Sequence, residues 1–274
     1  MTISVGSSLS LTIGSVNGAG YNLTIAGGGN VDITGAIGTG FTALTMSGTG
    51  TLTLTGANTY FGATSIMSGT VVLSGADGSI NYSSGVTLYT GATLTLSNTA
   101  GANKSNRLAG IPLTANGGTF NFTHTAGAAD YSDSIGMLTL NSGQFTVNTS
   151  QAAVGQTSAV TADSLTRNAG STMHFSGTGL GVGTRNEFKF TTAPTLTNNI
   201  LVYAIINDGG GWDWVTHLGN GTTVKGYADY EAGGEGNWTA STVNARPGAD
   251  ETLGADRTLY TLVLDSGIDL KGST

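Results

Sequence analysis

The side chains with most chemistry to offer gather late in the sequence: Asp208, Asp213, Asp229, Glu231 and Glu235 share a glycine-rich stretch with Trp212 and Trp214. Hard cations such as calcium take about six to eight oxygen ligands, and acidic glycine-rich loops can supply them. Calcium is therefore the candidate ligand of this cluster. The spacing matches no calcium-loop pattern, however, and ordinary solvated loop acids are the preferred account. GGGNVDITG at 27–35 approaches the calcium-binding nonapeptide of β-rolls. Asn30 stands where that pattern needs glycine, Thr34 where it needs an apolar residue, and no second copy follows, so these are read as strand residues. Asp130 and Asp133 in AADYSDS are the close acid pair that glycoside hydrolysis would require, but no basic residue accompanies them. His124, His174 and His217 are isolated, with the first two expected at outward or strand-edge positions. No catalytic residue, no resident cofactor and no enzymatic activity are assigned. Trp212 and Trp214 have the rings to stack on sugars, but alternate tryptophans also pack a small subdomain onto a larger body, and packing is preferred.

The elements that would carry these residues follow from composition. Of 274 residues, 45 are glycine, none is cysteine, and only 9% are charged, where globular domains carry about 25%. The chain solvates itself with Thr, Ser and Asn. Those residues favour strands, because Thr is β-branched and all three compete with a helical backbone for hydrogen bonds. Net charge is −7, which counts against nucleic acid and anionic membranes as partners. No apolar run is long enough to cross a bilayer as a helix, so no membrane insertion is expected.

Alternation of apolar and polar residues recurs in short runs, among them SLSLTI (8–13), YNLTIAG (21–27), GTLTLTG (50–56), GTVVLSG (69–75), ATLTLSN (92–98), GTFNFTHT (118–125), GQFTVNTS (143–150) and STMHFSG (171–177). This is the period-two signal of half-buried strands, and no α-helix is expected before residue 200. Asn-Gly occurs at 17–18, 116–117 and 220–221, too seldom to join a dozen strands as hairpins. The punctuation is instead a glycine, a polar arc and the next strand, at a spacing of roughly 20 residues, which is the signature of stacked coils. Leu52, Leu54, Ile66, Val71 and Leu73 are expected inside, and Thr51, Thr53 and Thr55 outside. A dozen or so coils would make a rod roughly 50–60 Å long. Near-absence of charge fits this plan, since like charges stacked about 4.8 Å apart repel while hydroxyl and amide ladders hydrogen-bond.

The stretch GTGTLTLTGANTYFGATSIMSGTVVLSG resembles the autotransporter-associated β-strand repeat. The residues that carry the likeness are Gly50, Thr51, Leu52, Leu54, Gly56, Asn58, Thr59, Tyr60, Gly62, Thr64, Gly69, Thr70 and Leu73. A second segment, 164–201, resembles the stretch that follows such repeats in very long surface proteins of Gram-negative bacteria. The resemblance implies a right-handed parallel β-helix, export, and a passenger or stalk role at the cell surface, with no catalytic residues. MTISVGSSLSLTIG lacks a basic region before an apolar core and the C-terminal residues do not read as a membrane barrel, so self-translocation by these residues is not expected.

Composition changes near residue 200. Up to residue 124 the charged residues are Asp32, Asp77, Lys104 and Arg107, whereas residues 201–274 hold ten acids and four bases, along with all three tryptophans. The expected organisation is an all-β solenoid over 1–199, an irregular excursion or inserted subdomain over 200–256, and a return to the coil over 257–274. The alternation of the C-terminal strand continues into that of the N-terminal one, which suggests head-to-tail stacking into a filament or tandem array. The expected function is a structural building block of an extracellular fibre or stalk. The alternative is an adhesin passenger that binds a glycan or surface through residues 208–238.

Overall fold

The computed structural model describes residues 1–99, 104–124, 130–150, 156–182, 185–217, 223–231, 237–238, 240–253, 257–265 and 268–272. Its body is built from two long sheets whose strands alternate along the chain. The first stacks β1 (Thr2–Val5), β3 (Tyr21–Gly27), β5 (Phe41–Met46), β7 (Thr64–Ile66), β9 (Val86–Tyr89), β11 (Ile111–Asn116), β13 (Tyr131–Ser142), β15 (Ser158–Arg167) and β17 (Asn186–Phe190). The second stacks β2 (Ser10–Ile13), β4 (Asn30–Ile33), β6 (Thr51–Leu54), β8 (Thr70–Leu73), β10 (Thr93–Asn98), β12 (Thr119–His124), β14 (Gln144–Thr149), β16 (Thr172–Ser176) and β18 (Leu201–Asn207). Every one of these neighbours pairs in parallel, so each coil contributes one strand to each sheet. The fold is an all-β parallel solenoid.

Register follows the alternation. Leu11, Val31, Leu52, Val71, Leu94, Phe120, Val147, Phe175 and Ile206 lie one above the next. From Val31 onward this column is buried, and with Leu23, Leu44, Ile66 and Leu88 of the facing sheet it forms the core. A register slip of one residue would turn the column outward, so burial fixes the pairing. On the outer face Thr51, Thr70, Thr93, Thr119 and Thr146 form a second column. Asn116, Asn141 and Asn168 form an amide ladder, in which Asn141 Nδ2 donates to Asn116 Oδ1 at 2.5 Å and Asn168 Nδ2 to Asn141 Oδ1 at 2.7 Å.

Among the described residues the two long sheets stack nine coils, and these are not uniform. Leu52 pairs with Val71, 19 positions on, while Met173 pairs with Ala204, 31 positions on. Extra residues enter partly through longer strands of the first sheet: β7 has 3 residues and β13 has 12. The rod is therefore about 40 Å long, shorter than a uniform 20-residue step implies.

Parallel stacking runs past residue 199 through β18. Then β19 (Trp212–His217) and β20 (Val224–Gly226) add antiparallel strands to the second sheet. Beyond them, β21 (Asn244–Ala245) pairs in parallel with β23 (Thr261–Leu262), and β22 (Glu251–Leu253) with β24 (Leu270–Gly272). The two-strand plan thus recurs at the C-terminal end, with strands paired to one another rather than to the two long sheets.

Candidate functional site

The repeat residues of 48–75 span β6, β7 and β8, and the stretch between β6 and β7 forms the corner where one coil hands over to the next. Asn58 is buried, and its amide holds three coils together. Its Oδ1 accepts from Ile37 N at 2.9 Å, and its Nδ2 donates to Gly56 O and Ser79 O, both at 2.9 Å. Tyr60 is buried beside it. Its hydroxyl lies 2.7 Å from Thr64 Oγ1, which lies 3.0 Å from Ser83 Oγ on the next coil. Burial raises the Tyr60 phenol above its ordinary value, so it stays a neutral member of this network. The glycines are set by contact between coils. A Cβ on Gly62 would fall 1.2 Å from Thr42 O, and one on Gly50 would fall 1.9 Å from Gly29 O. Gly69 also has φ +68°, a left-handed conformation that favours glycine. Leu52, Leu54 and Leu73 fill the interior, and Gly56 lies against Gly35 O. The pattern is inter-coil carpentry, with no carboxylate, imidazole, amine, guanidinium or thiol in it.

Two charged residues, Arg107 and Asp133, lie inside the rod. Arg107 is fully buried and donates to Gly78 O (2.6 Å), Gly75 O (2.8 Å), Ser97 O (3.0 Å) and Asn98 Oδ1 (2.9 Å). Asp133, also buried, accepts from the backbone N–H groups of Arg107 (2.6 Å), Leu108 (3.1 Å), Ala109 (3.4 Å) and Ser134 (2.9 Å). Burial pushes the Asp133 carboxyl up to about 6 against those four hydrogen bonds, and it lowers the Arg107 guanidinium to about 10 against the pull of Asp133. A basic residue of the preceding coil thus meets Asp133 through its backbone N–H, while its guanidinium donates to Gly75, Gly78, Ser97 and Asn98. Asp130 is exposed and accepts from Thr157 N at 2.8 Å. Three residues apart on extended backbone, the two acids face opposite ways, so the pair read from AADYSDS is not brought together.

His124 corrects an expectation too. It points inward, is 1% exposed, and meets Tyr131 edge to face at 4.4 Å. Its position continues the inward column of Phe120 and Phe122, and burial lowers its pKa. His174 lies half-buried on the outer face, where its ring is 4.8 Å from that of Trp212.

The late acids spread out. Asp208 Oδ1 accepts from Gly210 N at 2.9 Å within the β18–β19 turn. Asp213 accepts from Arg246 Nη1 at 2.5 Å, while Arg246 also donates to Asp265 through Nε at 3.0 Å and Nη2 at 2.7 Å. Burial raises the Asp213 carboxyl despite Arg246, and the hydrogen bond from Arg246 lowers that of Asp265. Glu231 is exposed and bridges Ala245 through its backbone, and the Asp229 carbonyl accepts from the Tyr227 hydroxyl at 2.9 Å. Glu235 lies outside the described residues. Among the described residues no three acids or histidines converge as a cation would require.

Trp212 and Trp214 sit on the antiparallel addition, opposite Asn207 and Ile205. Trp212 is 53% exposed, whereas Trp238 is buried. Both strand tryptophans line a groove of about 350 Å³ with Ile205, Leu262 and Leu264. A second cleft, about 330 Å³, opens at the end of the second sheet between Thr149, Ser150, Ser176, Thr178, Asn207 and Gly209. Sequence reasoning missed it, because its residues come from three coils and share no local pattern.

Residues 44–73 match the family model of the passenger-associated-transport-repeat. The matched segment runs from β5 to the last residue of β8 and is a repeat of the autotransporter passenger type, as the resemblance in the sequence implied. Comparison with curated proteins yields no match, and comparison with solved structures yields none either.

Proposed function

We propose that this protein is a rigid segment of an extracellular passenger, a stalk unit displayed outside a Gram-negative cell that lengthens by coil-on-coil stacking. The observation that carries this reading is Asn58, which ties the coils before and after its own into one continuous ladder. Such a rod resists bending because each coil is bonded to both neighbours over two sheets. Elongation would set a further coil against β1 and β2, where Leu9, Leu11 and Tyr21 are exposed. A coil of the same plan fits there, whether from a preceding stretch of the same polypeptide or from a second copy. No catalytic step, nucleic acid or cofactor enters this role.

Negative-stain microscopy of the purified chain across a concentration series tests elongation. Fibres that lengthen with concentration are expected. Monodisperse rods of about 40 Å at every concentration would overturn stacking between copies. Loss of fibres on adding a chelator would bring calcium back to the acidic region.

One observation favours a second reading, a binding passenger: Trp212, a large aromatic ring, stands mostly in solvent on the outer face. Trp212→Ala should then abolish adhesion to the target surface while unfolding stays unchanged.

A further inference from the structure

We propose that Trp212 and the cleft beside it form one binding site for a neutral oligosaccharide. The proposal rests on the binding-passenger reading and names its ligand class.

The ring is held in place by its surroundings. Trp212 pairs with Asn207 across the hairpin, and its indole lies 4.8 Å from His174 at an interplanar angle of 31°. One side of the indole therefore rests on imidazole, while 53% of the residue remains in solvent. Asn207, the partner of Trp212, is at the same time a lining residue of the 330 Å³ cleft. Platform and cleft are thus adjacent and are joined by one residue.

The lining of the cleft selects the ligand. Thr149, Ser150, Ser176, Thr178, Asn207 and Gly209 present hydroxyl, amide and backbone groups, with no ionisable side chain among them. An anion finds no counter-charge there, and Asp208, the next residue after Asn207, repels it. Thr149 is 4% exposed and its Oγ1 has no hydrogen-bond partner. Asn186, fully buried behind the cleft, donates through Nδ2 to Thr178 O at 3.1 Å, while its Oδ1 has none. Buried polar atoms without a partner are rare, and each calls for a specific explanation. Gly177 lies between these groups, since a Cβ there would sit 2.7 Å from Thr149 Oγ1 and 3.1 Å from Asn186 Nδ2.

An aromatic face beside a neutral cleft of hydroxyls and amides matches the two-sided chemistry of a sugar. Pyranose C–H groups cover the ring, and the hydroxyls exchange hydrogen bonds with the cleft. A nucleotide would bring phosphate to an acidic surface, and an apolar peptide would leave the cleft unsatisfied. The volume lies at the small end of ligand sites, so one or two sugar units would be held and the rest of the chain would extend over the outer face.

The test is titration of the intact chain with cellohexaose, laminarihexaose, maltohexaose and chitohexaose, with oligogalacturonate as the anionic control, read by tryptophan fluorescence and calorimetry. At least one neutral hexasaccharide should saturate the signal, and oligogalacturonate should not. Trp212→Ala should weaken binding about tenfold or more, and Thr149→Val by a smaller factor, with urea unfolding of both variants close to that of the parent. Trp212→Phe should retain most of the affinity and guards against a folding artefact. No saturation by any neutral hexasaccharide, or equal binding by oligogalacturonate, overturns the proposal. If adhesion to a surface is lost with Trp212→Ala while no sugar binds, the binding reading stands and the saccharide assignment falls. If adhesion is also indifferent to Trp212→Ala, both fall.

Discussion

The stretch 44–73 and the region from Asp208 to Asp265 use the same glycine-rich, polar vocabulary and arrive at opposite kinds of structure. In the first, contacts repeat from coil to coil: Asn58 reaches Ile37 and Ser79, each 21 positions away, and the glycines lie against a neighbour's carbonyl. In the second, contacts are individual. Arg246 joins Asp213 and Asp265, Asp208 caps its own turn, and a Cβ on Gly211 or Gly248 would meet nothing within 4 Å. Repetition makes a side chain unreplaceable, because each contact has coils on both sides. A unique surface segment is free to vary, which suits the binding role proposed for it.

Gly62→Ala set against Gly248→Ala sharpens this difference most. The first drives a Cβ into the Thr42 carbonyl and should cost about 3 kcal/mol or more in urea unfolding, whereas the second should stay within about 0.5 kcal/mol. Equal effects would break the comparison.

Buried and exposed cations come next. Arg107→Met leaves Gly75 O, Gly78 O and Ser97 O inside the rod without the guanidinium that donates to them, and a loss of about 3–5 kcal/mol is expected. Arg246→Met removes a partly exposed pair, and about 1 kcal/mol or less should be lost. A chemical denaturation series on both variants checks the ratio.

A pH profile isolates Asp133. Its folded pKa, about 6, lies above the ordinary carboxylate value, so between roughly pH 6 and pH 4 the folded state binds the proton more readily than the unfolded one. The contribution of this group to stability therefore rises as pH falls through that window, by up to about 3 kcal/mol. In Asp133→Asn that rise should disappear from the profile, and its persistence would assign it to another group. Asn58→Ala should cost about 1–3 kcal/mol from orphaning Ile37 N and Ser79 O, with the strands of the two long sheets retained by circular dichroism.

Much of this plan was legible residue by residue. Leu52, Leu54, Val71 and Leu73 lie inside and Thr51 and Thr53 at the surface, as strict alternation requires. Strands without clean alternation were missed. In β11, Pro112 interrupts the pattern and lies opposite a bulge, where Ile111 pairs with Ile135 but Leu113 with Leu138. In β7, three residues are too few to show a period. Asp133 was read with Asp130 as one close acid pair, yet it stands midway between Tyr131 and Ile135 in an inward column. Parity along the strand was the signal that could have placed it. At the candidate site Trp212 was visible as a residue type, but its cleft was not.

The sequence by itself determined strand, corner and solvent face, because these depend on side chains two apart and on glycine where backbones touch. Only the tertiary structure decided how many residues make a coil, that Arg107 lies one coil before the Asp133 it meets, and that the parallel ladder ends in an antiparallel pair carrying Trp212. The reason is physical. Period-two alternation sets which way a side chain points but leaves the partner strand unspecified, and that choice is made by packing between residues 19 to 31 positions apart.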